Sequence, residues 1–270
     1  MPQNLLACHG VVGLICAVGE GGAIRHFAGD LYEPRGVESP TVNTLRAVFV
    51  DSPHSAWAVG DAGTVLHWNG RCWLPAALAS RHDDLLAVWG RGRDVWIGGQ
   101  HRLLLHRPLS TGGMIVSTQH TIRSISGSGP ADLWLLADEN TAIHIGGDRY
   151  HDMPMAKLES DCFNAIGGTD SENVFAVGDL GVVARWDGSE WRDVPSTTGD
   201  TFTAVCGGDA GDIWATTAAG DLWRLTGAGW ERAASLPYAL NGVCFVDGVV
   251  WACGERGIVM QHLPEEGSGE

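Results

Sequence analysis

Apolar residues along the chain fall into short runs of four to six, and glycine, aspartate or asparagine separates one run from the next. The clearest copy of this pattern has apolar runs at 45–49, 56–59 and 64–68, and Trp73 opens a fourth. Runs rich in β-branched and aromatic residues with such boundaries are typical of strands joined by hairpins. No segment keeps a 3.6-residue period for three turns, so we expect little or no helix.

The same pattern recurs along the whole chain. In each copy one residue, usually aromatic, stands two positions before a Val-Gly step or its equivalent, and the intervals are 41, 39, 38, 41, 39 and 37 residues. These anchor residues are Cys16, Trp57, Trp96, Trp134, Phe175, Trp214 and Trp251. Four short strands in about 39 residues, repeated seven times, are typical of a β-propeller, whose blades are twisted antiparallel sheets.

We therefore predict an all-β fold, a seven-bladed β-propeller with four-stranded blades that begin near residues 5, 45, 85, 122, 163, 202 and 240. The propeller occupies residues 1–263, and the polar, acidic tail 264–270 is expected to be disordered. The last copy ends after its third strand, so the seventh blade has three strands or borrows a short edge from residues 1–4. A parallel β-helix or a leucine-rich solenoid, the alternative, has shorter repeats of one or two strands.

The phrase from Trp57 to Gly70, Trp-Ala-Val-Gly-Asp-Ala-Gly-Thr-Val-Leu-His-Trp-Asn-Gly, resembles the Trp-rich repeats of bacterial propellers related to the photosystem assembly factor and Asp-box families. The resemblance extends over the whole chain and implies the fold, but propellers of this kind serve many functions. The Asp-box motif itself, Ser-x-Asp-x-Gly-x-x-Trp, is absent, and the Trp-Asp and Gly-His signatures of WD repeats are missing at their expected places.

Charge and targeting features narrow the functional classes. The formal net charge of −15 disfavours binding to nucleic acids or anionic membranes. Lys157 is the only lysine beside 16 arginines, which favours a GC-rich bacterial source. No signal peptide or apolar run of 18 residues is visible. Since the seven cysteines show no paired spacing, we expect reduced thiols and a location in the cytoplasm. We also expect the protein to be a monomer.

No catalytic motif or metal-ligand pattern stands out, so we predict no enzymatic activity, no metal and no cofactor. Eleven histidines are present, and one repeat position holds His26, His67 and His144 but Leu105 in the third copy. Equivalent residues of different blades lie on a wide circle and do not converge on one ion, since a metal needs ligands at about 2.0–2.3 Å. The acids of the Gly-acid-x-Gly turns are interpreted as turn residues.

The third copy departs most from the repeat and carries a local excess of basic residues on an acidic protein. Loops on a rigid scaffold commonly carry binding residues. We therefore predict a contact with a protein partner in this region. The predicted partner-binding residues are Arg81, Arg91, Arg93, His101, Arg102 and Arg107.

A second candidate site is the mouth of the central channel. One slot in the first strand of each copy is variable and holds Leu6, Arg46, Leu86, Arg123, Asn164, Thr203 and Asn241. If this slot faces the channel, the mouth is polar and mildly basic and suits a small anion or an acidic side chain of a partner. The predicted channel-mouth residues are Arg46, Arg123, Asn164, Thr203 and Asn241.

The sequence thus predicts a scaffold, adaptor or regulated subunit of a bacterial complex that binds a protein partner through the loops of a propeller face. The alternative is a multivalent carbohydrate-binding lectin, because sugars stack on exposed aromatic rings. Its candidate residues are the aromatics at the hairpin exits, Tyr32, Trp73, Tyr150, Trp191 and Trp230.

Overall fold

The computed structural model describes residues 2–27, 35–76, 83–92, 94–101, 103–108, 114–117, 119–147, 149–155, 163–208 and 211–263. In these residues the chain forms seven antiparallel sheets around a central axis, each from one continuous segment. Six sheets have four strands, and the last has three. The described residues thus form six four-stranded blades rather than seven. No fourth strand pairs with the last sheet in this part of the chain, and three strands are one of the two arrangements predicted for it. The tail 264–270 lies outside it.

The strands occupy four positions from the axis outward. The inner strands are β1 (Leu5–Val11), β5 (Leu45–Ser52), β9 (Leu85–Arg91), β13 (Ile122–Gly129), β17 (Phe163–Asp170), β21 (Phe202–Gly207) and β25 (Leu240–Val246). The second strands are β2 (Leu14–Gly19), β6 (Ser55–Gly60), β10 (Asp94–Gly99), β14 (Asp132–Ala137), β18 (Asn173–Gly178), β22 (Ile213–Thr217) and β26 (Val249–Gly254).

The third strands are β3 (Ile24–Phe27), β7 (Thr64–Trp68), β11 (Leu103–Pro108), β15 (Thr141–Gly146), β19 (Val183–Trp186), β23 (Asp221–Thr226) and β27 (Val259–His262). The outer strands are β4 (Arg35–Gly36), β8 (Trp73–Pro75), β12 (Met114–Ser117), β16 (Arg149–Pro154), β20 (Trp191–Asp193) and β24 (Gly229–Ser235). Sheets are numbered 1 to 7 in chain order, so that sheet 1 is β1–β4 and sheet 7 is β25–β27.

The sheets close into a ring without exchanging a strand. Each inner strand contacts the inner strands of the two neighbouring sheets, and β25 contacts β1. A separate buried apolar cluster fills each of the seven interfaces, including the one between sheets 7 and 1. Side chains such as Trp134 and Trp214 are 2% and 0% exposed there. Since burying one large apolar side chain contributes about 1.5–3 kcal/mol, these interfaces supply most of the stabilising free energy.

The two ends of the ring differ in their loops. The inner strands all begin at one end, called here the start face, where the turns between second and third strands also lie. Gly60 opens one such turn, and a Cβ atom there would lie 2.0 Å from Thr44 O. The next residue, Asp61, donates its N–H to Thr44 O at 3.0 Å, which pins the turn to the inner strand. The opposite end, where the inner strands finish, is called the end face.

Candidate functional site

All seven inner strands line one central cavity of about 610 Å³. The variable slot of the repeat lies at its mouth on the start face, and the seven slot residues all contribute to its lining. The five predicted channel-mouth residues are thus brought together.

Each slot residue occupies a β-bulge. In every sheet the pairing of inner and second strands skips the slot, as between Ile122 and Ser124 or between Leu240 and Gly242. A bulge leaves one residue out of the ladder and redirects its side chain. This local irregularity, which the sequence did not reveal, places one variable side chain per sheet at the cavity mouth.

In sheets 5, 6 and 7 the slot side chain holds the next sheet around the ring. Each donates a hydrogen bond to the carbonyl of the first residue of the following inner strand. The pairs are Asn164 Nδ2 to Phe202 O at 3.0 Å, Thr203 Oγ1 to Leu240 O at 2.6 Å and Asn241 Nδ2 to Leu5 O at 2.8 Å. We call these three residues the latches, and their side chains are committed to structure.

The two slot arginines are held differently from the latches and from each other. Arg46 forms an ion pair with Asp61, the acid of the turn in its own sheet. Arg123 also lies at the cavity mouth, but it has no hydrogen-bond or ion-pair partner among the described residues. Arg123 is therefore the one slot cation that the described part of the fold leaves without a partner.

The acid that corresponds to Asp61 in the sheet of Arg123 is already engaged. Asp138 lies 2.9 Å from His120 Nδ1 and accepts the Thr121 N–H at 3.1 Å. Partial burial acts to raise the pKa of Asp138, but the hydrogen bonds from Thr121 and His120 outweigh it, so the pKa lies below its ordinary value. The carboxylate therefore stays ionised and is held by His120 and the Thr121 N–H.

A second cavity, a cleft of about 580 Å³ between sheets 3 and 4, adjoins the mouth. Arg123 and Leu86 line both cavities. In sheet 3 the turn acid of the repeat is replaced by Gln100, so this part of the start face lacks one negative charge. The other lining residues are His101, Gln119, Thr121, Asp138 and Glu139. The cleft therefore combines one unpaired guanidinium with amide and hydroxyl groups and with the carboxylates of Asp138 and Glu139.

The predicted partner-binding residues do not form one surface. Arg91 ends β9 on the end face, where its guanidinium donates to Ser128 O at 2.9 Å. His101 lies on the start face, 3.0 Å from Asp83. The six-residue strand β10 separates the two by about 20 Å, because strands rise about 3.3 Å per residue. Arg81, Arg93 and Arg102 lie outside the described residues, as does the side chain of Arg107.

The histidine position of the repeat belongs to a structural trio that the sequence analysis missed. His144 stacks on Trp134 with ring centroids 4.3 Å apart and lies 2.8 Å from Asp132. Arg224 repeats the arrangement over Trp214, with Asp212 as the acid. The assignment of Leu105 to this position was wrong by one residue, because strand register pairs Trp96 with His106. The ten-residue spacing from anchor to partner was the available signal.

His9 lies in the cavity wall, three residues after the slot of sheet 1. Its Nδ1 accepts the Val50 N–H at 3.0 Å, and its ring stacks on Phe49 with centroids 4.4 Å apart. Burial lowers its pKa to about 4, so the ring is neutral near pH 7. His9 thus links sheets 1 and 2 as an uncharged acceptor.

The aromatic residues proposed for sugar stacking are mostly inside the protein. Trp73 and Trp230 are 3% and 5% exposed, and the indole N–H of Trp191 is buried. Tyr150 is 44% exposed, and Tyr32 lies outside the described residues. Stacking on a sugar needs an open ring face, so this set does not form a repeated sugar-binding surface.

Within the described residues, no group of three or more His, Cys, Asp or Glu side chains is placed to hold a metal ion. None of the helices found there has the length and apolar character needed to span a membrane.

No protein-family model matches this sequence. One curated protein, the immune protein Tsi7 of Pseudomonas aeruginosa, is 30% identical over 113 residues. The match covers 40% of this chain and 37% of Tsi7, so it spans little more than a third of that relative.

Several solved propellers have the same fold. The WD40 propeller domain of Doa1 matches with a TM-score of 0.82 at 12% identity and covers 98% of this chain and 94% of its own. YCF48 bound to D1 peptide matches with a TM-score of 0.64 at 18% identity, over 83% and 79% of the two chains. Virginiamycin B lyase from Staphylococcus aureus, an enzyme, matches with 0.79 at 14% identity, over 95% and 94%. At such identities the likeness shows a β-propeller fold similar to YCF48 and WD40 propellers and leaves the function open.

Proposed function

We propose that this chain is a non-enzymatic protein-binding propeller whose partner docks on the start face and places a carboxylate against Arg123. The observation that carries the proposal is the position of Arg123, a slot cation without a described partner at the junction of the central cavity and the cleft. Its polar repeat equivalents are held by Asp61 or by the next sheet.

A carboxylate is the natural ligand of this position. The planar guanidinium of arginine offers paired N–H donors that match the two oxygens of a carboxylate. Gln100, Gln119 and Thr121 add donors along the cleft. Asp138 does not compete for Arg123, because His120 and the Thr121 N–H hold it.

Two of the solved neighbours support a binding role, while another, virginiamycin B lyase, is an enzyme with the same fold. YCF48 was solved with a bound peptide, and the WD40 propeller of Doa1 shares the fold. The relative Tsi7 is described as an immune protein, and a role of that kind is a specific form of the same proposal. The lectin alternative is weaker, because Trp73 and Trp230 are buried.

The proposal also covers the number of blades, the oligomeric state and the cellular location of the protein. We infer that the three-stranded sheet 7 acts as a seventh blade, because it has its own apolar cluster with sheet 1 and contacts β1. We also propose that the protein is a monomer and works as an adaptor or subunit of a complex in the bacterial cytoplasm.

The test is a pull-down with tagged protein from a lysate of the source organism. Arg123→Glu reverses the charge at the cleft, and Arg71→Glu makes the same change at an exposed hairpin on the end face. We expect a stoichiometric partner with wild type and Arg71→Glu, and at least a tenfold lower yield with Arg123→Glu. Both variants should melt within about 2 °C of wild type, because surface changes have small effects on stability.

Other outcomes overturn the proposal in distinct ways. Loss of the partner with Arg71→Glu alone would place binding on the end face. Retention of the protein on a glycan array, with no protein partner, would favour the lectin.

A further inference from the structure

Three departures from the repeat meet at the interface between sheets 7 and 1. Two residues after the slot, the inner strand of sheet 1 has Cys8, where the other six sheets carry only valine or isoleucine. Those residues are Val48, Val88, Ile125, Ile166, Val205 and Val243. In the second strand of sheet 7, Cys253 stands where three sheets have valine and the other three have Gly98, Leu136 and Thr216.

The third departure is a glycine that lets the two sheets approach. The residue after the slot is alanine or serine in six sheets and Gly242 in sheet 7. A Cβ atom on Gly242 would lie 2.9 Å from both Ala7 Cα and Cys8 N and 3.1 Å from Cys253 Sγ. The missing side chain therefore allows the backbone at Cys8 to pack directly on the cysteines of sheet 7.

Cys8, Cys244 and Cys253 form one buried cluster, with exposures of 8%, 5% and 0%. In sheet 7, Cys244 pairs with Trp251 and Cys253 pairs with Gly242, so both thiols lie on one face of the sheet. The Cys8 thiol docks on that face, with its Sγ 3.7 Å from Trp251 O. All three are free thiols.

The cluster favours one reactive sulfur. Contacts with the thiols of Cys244 and Cys253 act to lower the pKa of Cys8, although burial acts to raise it. The same contacts, with burial, raise the pKa of both partners. A thiolate is the nucleophilic form of cysteine. Cys8 lies on a strand that lines the cavity and contacts the cysteines of sheet 7, so we assign it as the attacking group.

The central cavity gives a small oxidant access to this cluster. Cys8 and Cys244 line the cavity, while Cys253 is fully buried and does not. Hydrogen peroxide is small enough to enter a cavity of about 610 Å³. Because Cys8 and Cys244 both line the cavity and belong to the same cluster, we select them as the reacting pair.

We propose that Cys8 and Cys244 are a peroxide-reactive pair that forms a disulfide between sheets 1 and 7. The Cys8 thiolate attacks one oxygen of hydrogen peroxide, the O–O bond breaks, and one proton is taken up to give sulfenic acid and water. The Cys244 thiol then attacks the sulfenic sulfur and loses its proton, and the hydroxyl leaves as a second water. The two thiols are oxidised by two electrons, and the peroxide is reduced.

The bridge would change the ring itself. Sheets 7 and 1 share no strand and are joined by side-chain contacts and the hydrogen bond from Asn241 to Leu5. A Cys8–Cys244 disulfide makes this interface covalent and encloses nearly the whole chain. This inference is independent of the proposed partner, because it concerns ring closure and needs no bound protein.

The experiment exposes the full-length protein to hydrogen peroxide and maps disulfides by mass spectrometry of non-reduced peptides. We expect a Cys8–Cys244 cross-link, faster migration on a non-reducing gel, and a rise in melting temperature of at least about 5 °C that a reductant reverses. The variant Cys8→Val should fold, because valine occupies this position in four other sheets, and it should show neither cross-link nor shift. The exposed Cys72→Ser is the matched control and should behave as wild type.

Three outcomes overturn the proposal. They are no intramolecular bridge in wild type, a bridge between Cys244 and Cys253 instead, or an unchanged cross-link and melting shift in Cys8→Val. Loss of the bridge in Cys72→Ser would also contradict it, because that result assigns the chemistry to the exposed thiol.

Discussion

The two halves of the ring use the same repeat position in opposite ways. In sheets 5, 6 and 7 the slot holds Asn164, Thr203 and Asn241, whose side chains each fasten the following inner strand. In sheets 2 and 4 the slot holds Arg46 and Arg123, which do not bond the next strand within the described residues. We call these the latched half and the open half.

The contrast shows that one position of the repeat can fasten neighbouring sheets in one part of the ring and carry a side chain without that structural role in another. A short amide or hydroxyl in the β-bulge reaches the neighbouring carbonyl, whereas a long guanidinium extends over the cavity mouth. The backbone is the same in both halves, so the residue in the slot decides between the two uses. The binding residue that we propose, Arg123, therefore lies at a position that is structural elsewhere in the same ring.

Removing all three latches should have the largest effect on stability. The triple variant Asn164→Ala/Thr203→Ala/Asn241→Ala leaves three carbonyls without their side-chain donors, at about 1–2 kcal/mol each. Since the sites lie in different sheets, we expect a combined loss of about 3–6 kcal/mol, measured by urea denaturation. The double variant Arg46→Ala/Arg123→Ala is the control and should lose less than about 1 kcal/mol. Equal losses would remove the distinction between the halves.

Acid should weaken the contact between sheet 1 and sheet 2, at the edge of the open half, through His9. Its folded pKa of about 4 lies below the unfolded value of about 6.5, so the unfolded chain binds more protons between these values. The contribution is complete above pH 6.5 and decreases as pH falls, by on the order of 3 kcal/mol at pH 4. In His9→Asn an amide oxygen can accept the Val50 N–H without titrating. Denaturation from pH 7 to 4 should be flatter for this variant, and an identical pH profile would contradict the assignment.

The trio of an acid, a histidine or arginine, and an aromatic residue should contribute equally in both halves. Asp132→Ala in the open half removes the partner of His144, and Asp212→Ala in the latched half removes that of Arg224. We expect each to lower the free energy of unfolding by about 1 kcal/mol, with the two values within about 0.5 kcal/mol. Thermal melting of the pair checks this. A large effect in one half alone would show that the halves differ beyond the slot.

The smallest effect on stability is expected for Arg123→Ala. No described partner holds the side chain, so the free energy of unfolding should change by less than about 0.5 kcal/mol. Asn164→Ala, the same change at the slot of the next sheet, should cost about 1–2 kcal/mol. Chemical denaturation compares the two, and a cost above 1 kcal/mol for Arg123→Ala would make it a structural residue.

Much of the fold could be predicted because the repeat depends on residues that are close together in the sequence. The Gly-acid-x-Gly turns, the aromatic anchors and the apolar runs each depend on neighbours within about 40 residues. The aromatic anchor Trp134 is buried, as the repeat predicts for a residue in the second strand of a packed sheet. The sequence did not decide how many strands the last sheet has, because the repeat pattern is no longer recognisable after Gln261.

The site was harder to predict because its geometry depends on residues in different sheets. The bulge at the slot and the bond from Asn241 to Leu5 join parts of the sequence 236 residues apart. Arg91 and His101 are close in sequence yet lie on opposite faces, because one strand runs between them. The engagement of Asp138 by His120, which leaves Arg123 unpaired, is likewise invisible in the repeat pattern.

Building every described sheet from one continuous segment has a consequence for rearrangement of the chain. Some propellers complete their last sheet with a strand from the other terminus, and rearranging the termini of such a chain disrupts that sheet. Here the boundaries between sheets coincide with boundaries in sequence, so a circular permutant that begins just before Leu45 keeps each sheet intact. Whole sheets are thus the natural units that duplication can add to such a ring and that recombination can exchange.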